Sequence, residues 1–304
     1  MRESAVQNRP SLTAEITCVQ RAVESLRPAN RRLVNDHYAR YFIAHRALKA
    51  RCANATMARL TRYVFDRRYP GLMAIVLLRN VWYEDVLADA LHDGFTQVVL
   101  LGAGYDTTAL RLSLGSATLF EVDAPPTQEA KRDVIRRHGL RPVSKVEYVP
   151  CDFERDALVE RLQDHGFDPS VRSLIVWYGV SYYLSEPAVC QTLSAVAGLS
   201  APGSRFLWDY MDQSVVDGTT AYAGARRARA VIAKRGEPYS FGSTRQGAEN
   251  LVRSSGFDCC DHVTVIDLAR RYGTKHDVWC STDDFFGVIM GVRQPPILIA
   301  AEDG

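Results

Sequence analysis

The sequence predicts an α/β protein built on a doubly wound, mostly parallel seven-stranded sheet with a helical preface. Three observations predict it. From residue 96 onward, short β-branched and apolar runs alternate with helical stretches, as parallel strands alternate with their crossover helices. No strand signal precedes residue 96. The first run ends in Gly102-Ala103-Gly104, where a strand turns tightly into a helix. A chain of 304 residues, 47% hydrophobic and 24% charged, can bury roughly 75% of its unfolded surface. That composition excludes disordered, collagenous and disulfide-stapled classes.

Ser11 and Thr13 offer N-caps to a first helix, whose apolar Ile16, Val19, Val23 and Leu26 recur at three and four and which Pro28 closes. A second helix is expected over Asp36 to Lys49, and a third apolar segment runs from Leu72 through Leu87. Strands follow at Gln97 to Leu101, Thr118 to Val122, Val146 to Val149, Ser173 to Trp177 and Arg205 to Trp208. The helices between them start near Asp106, Thr127, Asp156 and Ser185. Ala221 to Arg235 is an Ala-rich helix bearing Arg226, Arg227 and Arg229, either a solvated face or a lid over a cleft. A helix near Ser243 to Ser254 leads into strand candidates at Val263 to Ile266 and Phe285 to Met290. The division expected is a helical cap over 1–95 and a sheet domain over 96–304, with the lid at about 211–240.

The 37 basic and 35 acidic residues leave a net charge of +2, so neither nucleic acid nor a membrane is an expected partner, and any basic patch has to be local. No apolar stretch approaches the ~18 residues of a membrane span, and Met1 to Pro10 is polar, so the chain reads as cytoplasmic. Seven scattered cysteines without a CxxC pair read as free thiols, and no metal site is expected.

Chemistry concentrates at Val98-Val99-Leu100-Leu101-Gly102-Ala103-Gly104-Tyr105-Asp106-Thr107. In open α/β sheets ligands lie beyond the carboxyl ends of the strands, and glycines there let the backbone approach them. Nineteen positions after Gly104, Asp123 closes the second strand; its carboxylate either accepts hydrogen bonds from a ribose or caps the next helix. Thr107 stands where a dinucleotide fingerprint has its third glycine, and Asp106 puts a negative charge at the helix start, where a diphosphate needs a positive one. S-adenosylmethionine carries a ribose and no phosphate, so these departures favour it over a nicotinamide dinucleotide.

The run LGAGYDTTALRL, then FEVDAP, then WYGVSYYLSE, with NDHYARYF and RNVWYED ahead of them, resembles the leucine carboxyl methyltransferase family. The resemblance covers residues from about 11 to at least 210. It implies a Rossmann-like class I methyltransferase fold, S-adenosyl-L-methionine as cofactor and S-adenosyl-L-homocysteine as product. It further implies that Arg79 holds the cofactor's methionine carboxylate, that Gly102, Gly104 and Asp106 form the close-approach turn, that Asp123 holds the ribose, and that Asp152 and Phe153 bound the adenine. The family usually has an acid after the fourth strand, in patterns such as WEGV; here Tyr178 stands in its place. Trp177, Tyr178, Tyr182, Tyr183, Trp208 and Tyr210 cluster at two strand ends, and Tyr178, Tyr182, Tyr183 and Tyr210 are the candidate catalytic residues of an aromatic-walled acceptor pocket.

Methyl transfer from a sulfonium is an in-line displacement, which asks mainly for alignment and a water-poor cleft. A small-molecule acceptor, in keeping with a specialised metabolite, is expected, with O-methylation of a carboxyl or hydroxyl leading. The alternative is C- or N-methylation of an aromatic heterocycle such as an indole, with tyrosine assistance. Other classes are a non-catalytic ligand-binding protein on the same fold and a nicotinamide-dependent oxidoreductase. A homodimer is compatible with the sequence.

Overall fold

The structure, a computed structural model, describes residues 12–234, 236, 238–276 and 283–295; Ser11, Arg235 and Cys280 lie outside them. Four helices come first: α1 (Leu12–Ser25), α2 (Arg46–Ala50), α3 (Ala55–Arg68) and α4 (Leu72–His92). The sheet then takes shape as β1 (Gln97–Leu101), β2 (Thr118–Asp123), β3 (Lys145–Pro150), β4 (Ser173–Trp177), β5 (Arg205–Met211), β6 (Phe257–Thr264) and β7 (Phe286–Arg293). Its order is β3-β2-β1-β4-β5-β7-β6, parallel except for β7, which runs antiparallel to both neighbours. Between the strands lie α5 (Thr108–Arg111), α6 (Pro125–Arg137), α7 (Leu158–Asp164), α8 (Glu186–Gly198), α9 (Gln213–Asp217), α10 (Ala223–Ala233), α11 (Arg245–Ser254) and α12 (Val265–His276).

β1 and β4 are buried along their whole length, as expected of central parallel strands covered on both faces. Alternation splits the core in two. Val98, Leu100, Leu174, Val176 and Leu207 pack on one face with the apolar helix α4, while Val99, Leu101, Ile175, Trp177, Phe206 and Trp208 pack on the other with α8 and α11. Trp177 and Trp208, cross-strand partners, stack with ring centroids 6.0 Å apart. A third core joins α1 to α4 through Cys18, Val23, Phe42, Met73 and Leu77. Among the described residues no helix is long and apolar enough to cross a membrane, and the described cysteines are free thiols.

Three expectations need correction. Asp36 to Lys49 is not one helix: buried Asp36 accepts from Arg21 (2.8 Å) and from the Ala39 amide (3.0 Å), capping a short 3-10 turn at Ala39–Phe42. Extended backbone at Ile43 then separates that turn from α2. The strand expected over Val263 to Ile266 ends two residues earlier: Val263 and Thr264 close β6, which begins at Phe257, and Val265 and Ile266 already belong to α12. Thr264 and Asp267 bond reciprocally, side chain to backbone, in a capping box that ends β6 and starts α12. The expected fifth strand runs three residues further than read, through Met211.

Candidate functional site

The strand order reverses between β1 and β4, the position at which doubly wound sheets open a crevice beyond their strand ends. A cavity of about 1290 Å³ occupies it, more than the roughly 300–1,000 Å³ of an ordinary small-molecule pocket. Its walls come from α1 and α4, from the glycine turn after β1, from the exits of β2, β3 and β4, from α10, and from Gly236, Pro238, Tyr239 and Ser240.

Along the floor, Gly102 and Gly104 adopt positive φ (70° and 52°). The Gly104 amide donates to Asp123, which also accepts from the Ala124 amide at 2.7 Å. Burial pushes the Asp123 carboxyl up to about 6, against the pull of those two N–H groups. Each carboxylate oxygen keeps a free lone pair, so helix capping and hydroxyl recognition are compatible here. Asp106 accepts from the Thr108 amide (2.7 Å) and thereby starts α5. Asp152 accepts from the Glu154 amide (3.0 Å), and half-buried Phe153 stands beside it on the cavity wall.

Arg79, from α4, pairs with fully buried Asp209 of β5. Its guanidinium lies 5.5 Å from the centre of the Tyr178 ring. The Tyr178 hydroxyl is buried with no partner, an arrangement that a polar ligand atom would relieve. Tyr182, Tyr183 and Tyr239 form an aromatic cluster with centroids 4.8 to 5.7 Å apart. Burial raises the phenols of Tyr178 and Tyr182 well above the ordinary tyrosine range, so both remain hydroxyl donors at neutral pH.

Arg79, Gly102, Gly104, Asp106, Asp123, Asp152, Phe153, Tyr178, Tyr182 and Tyr183 all line this one cavity. Tyr210 does not. On β5, residues 206, 208 and 210 point to one face and 207, 209 and 211 to the other, so the Tyr210 ring packs over Gly287 on the far side of the sheet. Its hydroxyl meets His262 Nε2 at 2.9 Å, and His262 Nδ1 meets Glu249 at 2.8 Å. The same alternation turns Asp209 toward Arg79; sequence reading missed it by grouping aromatics without regard to parity. Tyr239 was also missed, because nothing local distinguishes it within the 211–240 segment.

These residues suit S-adenosylmethionine in chemistry: a cation in the wall at Arg79, a half-buried carboxylate at Asp123, and an acceptor beside an aromatic ring at Asp152 and Phe153.

The comparisons with known proteins agree with this architecture. The family model described as leucine carboxyl methyltransferase matches residues 14–197. The Bacillus subtilis protein named "Putative S-adenosyl-L-methionine-dependent methyltransferase YktD" is 32% identical over 197 residues, 63% of this chain and 64% of that relative. A Mycobacterium tuberculosis protein also named "Putative S-adenosyl-L-methionine-dependent methyltransferase" is 29% identical over 257 residues, 79% of this chain and 81% of its own. The match thus spans just under two thirds of the Bacillus relative and about four fifths of the mycobacterial one. A Thermobifida fusca crystal structure titled as a "putative methyltransferase" superposes with a TM-score of 0.56 at 16% identity, covering 94% of this chain and 96% of its own. A DUF574 family protein of Streptomyces avermitilis gives 0.57 at 15% identity, covering 84% and 95%. At those identities the two structures speak for the fold alone. The family model extends from the helices that roof the cavity through β4 and its aromatic exit to α8, which is well over half of the molecule. The chain therefore belongs to the leucine carboxyl methyltransferase family.

Proposed function

We propose that the protein is an S-adenosylmethionine-dependent methyltransferase acting on a small molecule. The observation that carries this is the single cavity joining the glycine turn and Asp123 at one end to Tyr178, Tyr182, Tyr183 and Tyr239 at the other. In this reading Asp123 accepts the ribose hydroxyls, Asp152 and Phe153 receive the adenine, Gly102, Gly104 and Asp106 shape the turn, and Arg79 faces the methionine carboxylate. The cofactor, when bound, supplies an activated methyl group and leaves as S-adenosylhomocysteine.

The chain's own part is orientation and exclusion of water. α10 turns Ala228, Val231 and Ile232 toward the cavity, whereas Arg229 is exposed, half-buried Arg227 donates to the Ala223 carbonyl and Arg226 bonds back to the Thr220 carbonyl. In this reading the lid expected at about 211–240 acts through Ala228, Val231, Ile232, Pro238 and Tyr239, which line the cavity. Because burial raises the phenols of Tyr178 and Tyr182, they are placed to position an acceptor by donating hydrogen bonds. This favours an acceptor that is already ionised at neutral pH, a carboxylate with a pKa of about 4, and the tyrosine wall favours one attached to a flat ring. A specialised metabolite of that type, methylated in the cytoplasm without a metal, is the reading we adopt. Calorimetry with S-adenosylhomocysteine, followed by methyl transfer to aromatic carboxylic acids across pH, tests it. At saturating S-adenosylmethionine, a rate that stays flat above the carboxylate range supports the proposal; tight nicotinamide dinucleotide binding with no response to S-adenosylhomocysteine refutes it.

A further inference from the structure

Asp209 does not line the cavity; it stands behind Arg79, with no exposed surface. One carboxylate oxygen accepts from Arg79 Nη1, and the other accepts from the Gly179 amide at 2.8 Å. Its own carbonyl accepts from Ser181 Oγ at 3.0 Å. A single buried acid therefore ties together three pieces remote in sequence: α4 through Arg79, the turn after β4 through Gly179 and Ser181, and β5. The turn is fitted to the guanidinium. Gly179 has φ +81°, and a side chain beginning there would lie 3.1 Å from Arg79 Nη2.

Arginine is long and has many rotamers, so a guanidinium in a cavity wall acts as a fixed anion partner only if something holds its far side. Asp209 engages one edge of the planar fork, the Tyr178 ring lies 5.5 Å from the guanidinium, and Arg79 Nε is buried without a partner. The pair is also neutral overall, which suits an amino-acid end carrying both a carboxylate and an ammonium better than it suits a bare anion. Resting on the reading of the cavity given above, we infer that Asp209 is the positioning residue of the cofactor site: it presets the Arg79 guanidinium and the Gly179 turn for the amino-acid end of the ligand.

The test is calorimetric titration of wild type and Asp209→Asn with two probes, S-adenosylhomocysteine and 5′-methylthioadenosine. They share the adenosine, and only the first has the amino-acid end. The variant should bind S-adenosylhomocysteine at least about tenfold more weakly, the scale of one charged hydrogen bond, while 5′-methylthioadenosine changes by less than about twofold. Unchanged binding of S-adenosylhomocysteine, or an equal loss for both probes, overturns the inference while leaving the cavity assignment standing. A wild type that takes up neither probe removes the assignment and the inference together. Should the single variant not fold because Arg79 is left buried and unpaired, Arg79→Gln/Asp209→Asn removes both charges at once. That double variant should bind S-adenosylhomocysteine as Arg79→Gln alone does, and a further tenfold loss would show that Asp209 does not act through Arg79.

Discussion

Gly102 and Val180 share a space that has room for only one side chain. The Cγ2 methyl of Val180 fills the place where a Cβ at residue 102 would sit, and Gly102 is itself in the left-handed region at φ +70°. The β1 exit and the β4 exit, on the two sides of the crevice, are locked to each other at this contact. Gly102→Ala combines backbone strain with overpacking, each costing about 1–3 kcal/mol. Denaturant unfolding should show a loss of about 2–5 kcal/mol, with S-adenosylhomocysteine affinity falling in parallel; a neutral outcome would mean that the turn relaxes freely.

Affinity for S-adenosylhomocysteine should depend on pH through Asp123. Its carboxyl titrates at about 6 because burial disfavours the charge, and hydroxyl donors need the ionised form. Binding should therefore weaken as pH falls through 6, approaching tenfold per unit, and Asp123→Asn should bind weakly with a flat profile. The stability linkage has the opposite sign. Since the folded pKa lies above an unfolded value of about 3.9, the native state holds this proton more tightly. This group's contribution to stability is then largest at low pH, declines between about 4 and 6, and is level above.

The two faces of β5 and its neighbours can be separated with two phenylalanine substitutions. Tyr178→Phe removes a hydroxyl that has no protein partner, so stability and S-adenosylhomocysteine affinity should hold while turnover drops. Tyr210→Phe removes the bond to His262 and should cost about 1 kcal/mol of stability with turnover intact. Impaired turnover in Tyr210→Phe would contradict the placement of that ring outside the cavity.

The apolar lining of the lid predicts a split between the two ligands. Ile232→Glu puts a charge among residues that line the cavity and should raise the acceptor KM several-fold without moving S-adenosylhomocysteine affinity. Arg229→Ala, at an exposed position of the same helix that does not line the cavity, should leave both unchanged. Steady-state kinetics with calorimetry on the same preparations decides it.

What sequence could reveal followed physical signal strength. The central strands were legible because burial on both faces makes them continuous apolar runs, and β4 was read to its observed ends, Ser173 and Trp177. The glycine turn and Asp123 were legible because their spacing is fixed by a strand, a turn and a strand. Arg79 was reached only through family resemblance, since a single arginine on an apolar helix carries no spacing signal. Its partner Asp209 went unseen because the fifth strand was ended at Trp208, one residue short of the position whose parity matters. α3 escaped although Met57, Leu60 and Val64 recur at i, i+3 and i+7; that apolar stripe is the exposed face of the helix, and only the small side chains of Ala58 and Thr61 are buried. α12 escaped because Val263 to Ile266 looks β-branched when the Thr264 and Asp267 box is overlooked.

The place of β7 in the sheet bears on how the polypeptide matures. Its backbone supplies the ladder for β5 on one edge and for β6 on the other. A nascent chain leaving the ribosome can zip up the five parallel strands in the order they emerge, but residues 257–264 have no template until 286–293 follow. Among the described residues, β7 is the last strand in chain order, and it takes its place between β5 and β6. A chain halted before residue 286 would leave the β5 edge and residues 257–264 without their shared partner, two unpaired strand edges open to other chains.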